Sequence, residues 1–421
     1  MIEQIFFVIF IIVSVINITH FGLYLVGANY YDIKRFKKDS KVYKKKRGLR
    51  PLVSVLIPAH NEELSIVRCL ETVRKSTHRK FEIIVVDDAS TDNTKRIVKK
   101  YIEDHPWVNI RLMYKQKNSG KANALNHALR HGAKGQLIMT LDADSGLGKK
   151  SMANAVRYFD NERVVGVAAN VRVLDNFKIL GLLQVFEYMI GYRSKKFYSL
   201  SNSEFIIGGV GSTYRAEVMK SVGYYDKDII TEDIALSLKV AAQGNRENRL
   251  VYGVDVIAMT EAVGSLKGLM RQRYRWKMGI LQSLVRQKHL LGNINSKYSR
   301  SLTFYRIPMA FFGELLIILE PFAIAFVVFL MIKSGNPMFL IGTYMTITGY
   351  MFLNIWPDEL MNRRRKIKMS LLSVPMYMVF YIMNFVQLTS IIRCLFNYKQ
   401  VTLKKNTTTT WVSPARSLST S

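Results

Sequence analysis

Four apolar segments constrain this chain of 421 residues more than any other feature of its sequence. The first covers residues 4–26, and three more cover residues 309–332, 337–356 and 370–395. A helix needs about 20 predominantly apolar residues to cross the hydrocarbon layer of a bilayer. No basic stretch precedes the first segment, so we expect an uncleaved anchor rather than a signal peptide. The sequence therefore predicts a multi-pass membrane protein.

Basic residues are concentrated beside these apolar segments. The formal net charge is +30, and the densest runs lie within residues 34–50 and 363–368. Such runs mark the cytoplasmic ends of spans and meet anionic lipid headgroups. They predict that residues 28–305 and 357–369 lie in the cytoplasm, that four spans place both termini outside, and that the bilayer of the cell membrane is a partner. A nucleic-acid partner is not expected, because no recognised motif of that class occurs.

Two carboxylates interrupt the second apolar segment, at Glu314 and Glu320. Acidic residues at membrane depth usually face a protein interior or an aqueous path. The sequence leaves open whether each one has a structural partner or lines a route through the membrane.

The region after the first apolar segment alternates strand-like and helix-like patterns. Short apolar runs predict buried strands at residues 53–57, 82–86, 111–114, 137–141 and 164–169. Helical patterns separate the earlier runs, at residues 62–75, 93–104 and 121–131. This alternation is typical of an α/β fold with a mostly parallel sheet covered by helices. Ligands of such sheets bind beyond the carboxyl ends of the strands.

Polar clusters follow three of the predicted strands, at residues 58–62, 87–90 and 142–144. A single Asp at a strand end is usually a turn residue or a helix N-cap, and Asp92 fits that description. Three clusters at matching ends are harder to explain by turn chemistry alone. The carboxylates of Asp142 and Asp144 predict binding of Mg²⁺ or Mn²⁺, which would neutralise a diphosphate leaving group.

Two further motifs begin helices. Gly120 and Lys121 predict a phosphate contact through backbone N–H groups and an ammonium, although a plain loop-to-helix junction explains them as well. Thr231, Glu232 and Asp233 precede another helical pattern. A structural interpretation makes Thr231 an N-cap with acids in the first turn. A functional interpretation makes Asp233 a general base for an acceptor hydroxyl, and spacing alone does not decide between the two.

Residues 266–291 mix basic and apolar residues at helical spacing, which predicts an amphipathic helix at the bilayer surface. Gln272, Arg275 and Trp276 fall on neighbouring turns of this helix. Arg275 suits a diphosphate and Trp276 suits the face of a sugar ring. The alternative is a snorkelling arginine beside an interfacial tryptophan.

The motifs PAHNE, DDAS, DAD, TED and QRYRW occur in this order between apolar spans. In this order they resemble the processive family 2 glycosyltransferases, which include cellulose, chitin, hyaluronan and poly-N-acetylglucosamine synthases. The resemblance covers roughly residues 50–290 and extends to the arrangement of the spans. It implies a GT-A (Rossmann-like) nucleotide-sugar domain, a UDP-sugar donor and a growing polysaccharide as acceptor.

The resemblance also implies roles for individual residues. The implied donor site holds the nucleotide and the diphosphate with Ala59, Glu62, Asp88 (at the uracil), Lys121 and Asp142. The implied metal ligands are Asp142 and Asp144, and the implied catalytic residues are the base Asp233 and its neighbour Glu232. The implied QxxRW element holds the diphosphate and the acceptor end with Gln272, Arg275 and Trp276.

Residues 183–184, 187–188 and 208–215 most resemble the poly-β-1,6-N-acetylglucosamine synthase branch. This implies an inverting hexosyltransferase that polymerises N-acetylglucosamine from UDP-GlcNAc into an exported polysaccharide. Two features depart from the family pattern. Ala89 replaces the Gly of the commoner DDGS and is expected to fit if its φ is negative. One N-terminal span is found where relatives often have two.

The predicted organisation has six parts: an N-terminal transmembrane helix (1–27), a basic juxtamembrane linker (28–50), a cytoplasmic GT-A domain (51–262), amphipathic interfacial helices (263–305), three transmembrane helices (306–396) and a polar tail (397–421). One alternative is another family 2 synthase, of hyaluronan, chitin or cellulose type. A second is a non-processive enzyme that adds one sugar to a lipid carrier. A third is a basic membrane scaffold with an inactive domain. The need for a small membrane partner subunit stays open.

Overall fold

The computed structural model describes residues 2–42, 50–174 and 178–402. The strands are β1 Val53–Ala59, β2 Phe81–Asp87, β3 Ile110–Tyr114, β4 Leu137–Thr140, β5 Gly146–Leu147, β6 Val164–Leu174, β7 Thr213–Arg215 and β8 Arg249–Glu261. The helices are α1 Ile2–Val42, α2 Ile66–Arg74, α3 Thr94–Asp104, α4 Lys121–His131, α5 Ser151–Tyr158, α6 Ile179–Leu200, α7 Ala216–Ser221, α8 Glu232–Ala242, α9 Leu266–Arg286, α10 Ile307–Ser334, α11 Met338–Ile355, α12 Arg363–Phe396 and α13 Tyr398–Thr402.

The described strands form one sheet in the order β3-β2-β1-β4-β7-β6-β8-β5. β1 pairs in parallel with β2 and β4, β2 pairs in parallel with β3, and β6 pairs in parallel with β8. β7 is antiparallel to both β4 and β6, and β5 is antiparallel to β8. Each of the five predicted strands forms. The sheet is nevertheless mixed, because β7 reverses the direction where the two parallel parts meet.

β1 lies at the centre of the parallel part, and all seven of its residues are buried. Alternate residues of a strand point to opposite faces of the sheet. Val55 and Ile57 accordingly pack into one hydrophobic core, whereas Leu56 packs into the other. Helix α2 covers the first core with residues at helical spacing, Ile66, Cys69, Leu70 and Val73. Full burial of one Leu or Ile side chain contributes about 1.5–3 kcal/mol, so the two cores hold β1 in place from both faces of the sheet.

Three helical segments of the described chain are long and apolar enough to cross a membrane: Phe7–Arg35, Leu316–Ser334 and Arg363–Phe396. The predicted span at residues 337–356 forms α11 but is not one of these three, so its crossing of the bilayer stays a prediction. Helix α1 continues beyond the predicted end of the first span to Val42. Part of the predicted basic linker (43–49) and most of the predicted polar tail (from 403) lie outside the described residues.

Both ends of α12 contact the α/β domain or the helix packed on it. Before α12, Asp358 Oδ2 lies 2.6 Å from Arg172 Nη1 on β6. Beyond α12, Gln400 O accepts a hydrogen bond from Gln282 Nε2 on α9 at 2.9 Å. Helix α9 in turn packs on α8 of the domain. The predicted external carboxyl terminus stays a prediction.

Glu314 and Glu320 on α10 both have polar partners. Lys277 Nζ on α9 lies 2.9 Å from a Glu314 carboxylate oxygen. Asn384 Nδ2 on α12 donates to Glu320 Oε1 at 2.5 Å. Each residue therefore has a structural partner that ties α10 to a neighbouring helix, and a role in lining a route through the membrane stays a prediction.

Candidate functional site

The polar clusters predicted at the strand ends meet at one edge of the sheet. Ala59 at the end of β1 pairs with Asp87 at the end of β2. Asp88 N then donates to Ala59 O at 2.9 Å. Leu141, the residue after β4, donates its N–H to Leu56 O at 3.0 Å. Residues 142–144 therefore leave the sheet beside β1, at the edge where α/β sheets bind ligands.

The turns after β1 and β2 are joined to each other by hydrogen bonds. Asn61 N donates to Ser90 Oγ at 3.0 Å, and Thr91 N donates to Asn61 Oδ1 at 2.8 Å. Asn61 and Ala89 both have positive φ, at +55° and +59°. The condition under which Ala89 is expected to fit in place of Gly, a negative φ, is therefore not met. The left-handed conformation costs an L-residue about 1–2 kcal/mol, and backbone strain of this kind concentrates at functional sites.

The two acids assigned to the nucleotide site are buried and hydrogen-bonded. Ser65 Oγ donates to Glu62 Oε2 at 2.5 Å. Gly120 N donates to Asp88 Oδ2 at 2.8 Å, and Ser119 N does so at 3.1 Å. A carboxylate on the N–H groups that begin α4 is favourable because the helix dipole is positive there. Asp88 thus holds the loop before α4, and its contact with a uracil stays a prediction.

Lys121, the first residue of α4, joins the acidic cluster after β4 to the one that begins α8. Its Nζ lies 2.6 Å from Asp142 Oδ1 and 3.0 Å from Glu232 Oε1. Burial disfavours the ammonium, but Asp142, Glu232 and Asp233 outweigh this and raise the pKa of Lys121 well above its ordinary value. The side chain that the sequence assigns to a nucleotide is therefore a permanent cation among three acids.

Asp233 is held by backbone N–H groups from two elements. Gly209 N donates to its Oδ2 at 2.7 Å, and Ile234 N donates to its Oδ1 at 2.8 Å. Burial and the neighbouring Glu232 carboxylate raise the pKa of Asp233 to about 6. Thr231 occupies the N-cap position of α8, but its side chain makes no capping hydrogen bond. The N-cap position of Thr231 and the acids in the first turn agree with the structural interpretation, the raised pKa of Asp233 suits general-base chemistry, and the role of Asp233 stays a prediction.

Asp142 and Asp144 are both half-buried after β4. Ser145 Oγ donates to Asp144 Oδ1 at 2.9 Å, while Asp142 pairs with Lys121. Across residues 2–42, 50–174 and 178–402, no group of three or more His, Cys, Asp or Glu side chains is arranged to hold a metal ion. Mg²⁺ usually takes one or two protein carboxylates and completes its shell with water and substrate phosphates. Two carboxylates at this edge fit that mode, and their assignment as metal ligands stays a prediction.

The amphipathic helix predicted at residues 266–291 forms as α9. Ser265 caps it, since its side chain accepts from Gly268 N at 3.2 Å. Gln272 is half-buried, whereas Arg275 and Trp276 are exposed and accessible to a substrate. The structure thus brings the three QxxRW residues onto one helix, which packs on α8.

The sequence interpretation misses Arg273, which is buried between two other functional candidates. Its guanidinium carbon lies 4.0 Å from the centroid of the Trp276 ring, and its Nη2 lies 2.5 Å from Glu187 Oε2 on α6. The Tyr188 ring lies 6.4 Å from the Trp276 ring. Burial raises the pKa of Tyr188 to about 12, and the acids within residues 142–144 add to this. Tyr188 is therefore close enough to the acids at the strand edge to respond to their charge, and its ring also lies near Trp276 on α9.

The sequence gives only a partial signal for the contact between Arg273 and Glu187. The Glu–Tyr pair at residues 187–188 resembles one branch of the family, but nothing in its spacing assigns it to α9. The pairing of Arg273 with Glu187 joins residues 86 positions apart, a contact that local periodicity does not encode.

Comparisons with known proteins find relatives of the α/β domain. Residues 54–223 match the sequence family described as Glycosyl transferase family 2. Two curated relatives are each named Poly-beta-1,6-N-acetyl-D-glucosamine synthase. The one from Staphylococcus aureus (strain COL) is 32% identical over 237 residues, which are 56% of each chain. The one from Staphylococcus epidermidis is 30% identical over 268 residues, which are 62% of this chain and 63% of the relative. This chain therefore spans less than two thirds of either relative.

A solved structure has a similar fold. The mannosyltransferase PcManGT from Pyrobaculum calidifontis, determined with GDP-Man and Mn²⁺, matches with a TM-score of 0.57 and 22% sequence identity. The match covers 83% of this chain and 99% of the other. The predicted fold class and the predicted family resemblance are thereby confirmed.

Proposed function

We propose that this chain, which carries a glycosyl transferase family 2 domain of GT-A fold, is a processive UDP-sugar-dependent hexosyltransferase at the cell membrane. The observation that carries this proposal is the cluster of Lys121, Asp142, Glu232 and Asp233. It unites a diphosphate motif and a candidate base at one strand edge. The names of the curated relatives support N-acetylglucosamine as the sugar and a poly-β-1,6-linked product.

Asp233 is the base in this mechanism. It takes the proton of the acceptor hydroxyl, whose oxygen attacks the anomeric carbon as the bond from that carbon to the diphosphate breaks. Attack from the side opposite the diphosphate inverts the anomeric configuration, and UDP leaves. Because its pKa is about 6, Asp233 is mostly ionised at neutral pH and still basic enough to accept a proton. The Gly209 N–H holds the carboxylate in place.

The donor binds at the strand edge. Ala59, Glu62 and Asp88 are assigned to the nucleotide, and Lys121 to the diphosphate end of the site. Mg²⁺ or Mn²⁺ held by Asp142 and Asp144 would neutralise part of the diphosphate charge. The solved relative with Mn²⁺ supports a divalent ion in this fold.

The acceptor lies against α9. Trp276 is exposed and has Arg273 on its ring, so the indole is held in one orientation and offers its accessible surface to a sugar. Arg275 is exposed one residue earlier and adds positive charge for the diphosphate. Gln272 lies one turn before Trp276 and completes this acceptor region.

The apolar helices and the basic runs beside them support a location in the membrane. Three apolar helical segments give a polymer a route away from the site, and the basic runs beside them favour a cytoplasmic catalytic domain. A catalytic domain on the cytoplasmic face would draw on the cytoplasmic pool of UDP-sugar and release the polysaccharide outside.

The test supplies membranes containing the chain with one labelled UDP-sugar at a time, followed by linkage-specific digestion. We expect incorporation from UDP-GlcNAc into a polymer that a β-1,6-specific hydrolase degrades, and none with the Asp233→Asn variant. A polymer of another sugar would assign the chain to the hyaluronan, chitin or cellulose type. A single-sugar adduct on lipid would replace processive synthesis with the lipid-carrier alternative. Absence of transfer from every donor would refute the proposal.

A further inference from the structure

The backbone of α9 lies directly against Thr231, the residue before the acids of α8. A Cβ built on Gly279 would lie 2.0 Å from Thr231 Oγ1, 2.6 Å from its Cγ2 and 2.7 Å from its Cβ. Only glycine permits such an approach of one backbone to a neighbouring side chain. Gly279 therefore sets how closely α9 packs on the start of α8.

A second contact lies one turn further along the same face of α9. Ile230 N donates to Gln282 Oε1 at 3.1 Å, and Gln282 itself is buried. Residues three apart on a helix are neighbours on its surface. Gly279 and Gln282 thus contact the two consecutive residues that precede Glu232 and Asp233.

The same helix carries the proposed acceptor platform. Trp276 lies one turn before Gly279, on the same continuous helix Leu266–Arg286. A helix moves as a rigid element over one turn, so a shift of α9 at Gly279 moves Trp276 relative to Asp233. Rotation of the Thr231 side chain can move Oγ1 away but not Cβ, which lies 2.7 Å from the added methyl group, so α9 and Thr231 must separate by about 0.7 Å to reach ordinary contact at 3.4 Å.

We propose that Gly279 and Gln282 are positioning residues that fix the distance between the acceptor platform at Trp276 and the base Asp233. The inference rests on the proposed function, because it assigns those two roles. It adds that the QxxRW helix and the TED motif are one rigid unit, joined by the contacts at Thr231 and Ile230. Misplacement of reacting groups by about 1 Å is enough to cost about 10²-fold in rate.

The experiment compares Gly279→Ala with Gly191→Ala. Gly191 lies inside α6 with nothing within 4 Å of an added Cβ, so it controls for the helix propensity gained by alanine. We expect Gly279→Ala to lower kcat for transfer about 10²-fold while KM for the UDP-sugar stays within about twofold. Gly191→Ala is expected to behave as the wild type. Adding Thr231→Gly to Gly279→Ala frees the space, since glycine is tolerated at an N-cap, and should restore most of the lost kcat.

Every result of these kinetic measurements either supports or refutes the positioning role of Gly279 and Gln282. Wild-type kcat in Gly279→Ala, or a double variant with wild-type melting temperature but no recovery, would overturn it. If Gly279→Ala does not fold, Gln282→Met decides, because it removes the acceptor of Ile230 N while keeping the volume. It is expected to lower kcat at unchanged donor KM, and an unchanged kcat refutes the inference. Failure of the wild type to transfer any sugar would instead refute the proposed function.

Discussion

Replacement of Asp233 by Asn should stabilise the protein at alkaline pH although it removes the base. Folding raises the pKa of this carboxyl from 3.8 to about 6, first by burial and then by the Glu232 carboxylate. The ionised form is therefore disfavoured in the folded state. At 1.36 kcal/mol per pH unit, the difference corresponds to about 3 kcal/mol above pH 6. Asn is uncharged like the protonated acid, so Asp233→Asn avoids this cost, but its Nδ2 cannot accept the backbone N–H that one of the two carboxylate oxygens accepts.

The size of this stabilisation depends on pH. A raised carboxyl pKa means that wild-type stability falls as pH rises from the ordinary value of 3.8 through about 6. Asp233→Asn should thus gain stability relative to the wild type as the pH rises from 4 to 8. For a domain of 150–250 residues, 1 kcal/mol shifts Tm by about 2–4 °C. The expected gain is therefore about 6–12 °C at pH 8, measured by thermal unfolding of the detergent-solubilised chain.

Asp228→Asn is a matched control, for which we expect the opposite effect on stability at pH 8. Arg286 holds the Asp228 carboxylate by two hydrogen bonds of 2.9 and 2.7 Å and lowers its pKa. Its contribution to stability is present above the ordinary pKa and lost as pH falls. Asp228→Asn should therefore lower Tm at pH 8 and leave it unchanged at low pH. If the Tm of Asp233→Asn does not rise relative to that of the wild type between pH 4 and pH 8, the ionised carboxylate is stabilised by the fold, and the reasoning is wrong. Transfer by Asp233→Asn should still fall by about 10²–10⁴-fold.

Four further predictions concern the metal, the backbone, the acceptor and the topology. EDTA should abolish transfer and Mg²⁺ or Mn²⁺ should restore it; full turnover in chelator would contradict a metal at residues 142–144. Ala89→Gly should raise stability by up to about 1 kcal/mol in thermal unfolding, because relief of left-handed strain exceeds the entropic cost of glycine; a clear fall in Tm would contradict the positive φ. Trp276→Ala should shorten the polymer with UDP binding intact, whereas Arg275→Ala should slow every transfer; equal chain lengths in all three proteins would exclude the platform. Because Gln400 O accepts a hydrogen bond from α9, a cysteine at position 400 should be labelled from the side of the catalytic domain; labelling from the opposite side only would support the external terminus that the sequence predicts.

The sequence predicts the parallel part of the fold well because its strands are continuous apolar runs separated by helices. β1, β2 and β4 form where their Val- and Ile-rich runs occur, and their ends carry the predicted clusters. β7 has three residues, and β8 pairs with β6 through a register shift near Ala169 and Asn170. Neither gives a regular period-2 pattern, so the mixed character of the sheet is not visible in the sequence.

The site is less predictable than the fold, because its key contacts join distant parts of the chain. Lys121 meets Glu232 across 111 positions, and Gly279 meets Thr231 across 48. No local spacing encodes such contacts. The positive φ of Ala89 is also invisible in the sequence, since Ala seldom adopts it. Hydropathy likewise identifies α12 as a span but does not show that Gln400 returns to α9.

In the proposed function, one domain adds sugar after sugar without releasing the chain. A pulse of labelled UDP-GlcNAc to membrane-embedded enzyme, followed by an excess of unlabelled donor, tests this property. We expect label to move into long polymers that stay bound to the enzyme throughout the chase, and linkage-specific digestion to release it as N-acetylglucosamine. Label that stays in single-sugar adducts, or in short chains released after each addition, would contradict processive synthesis.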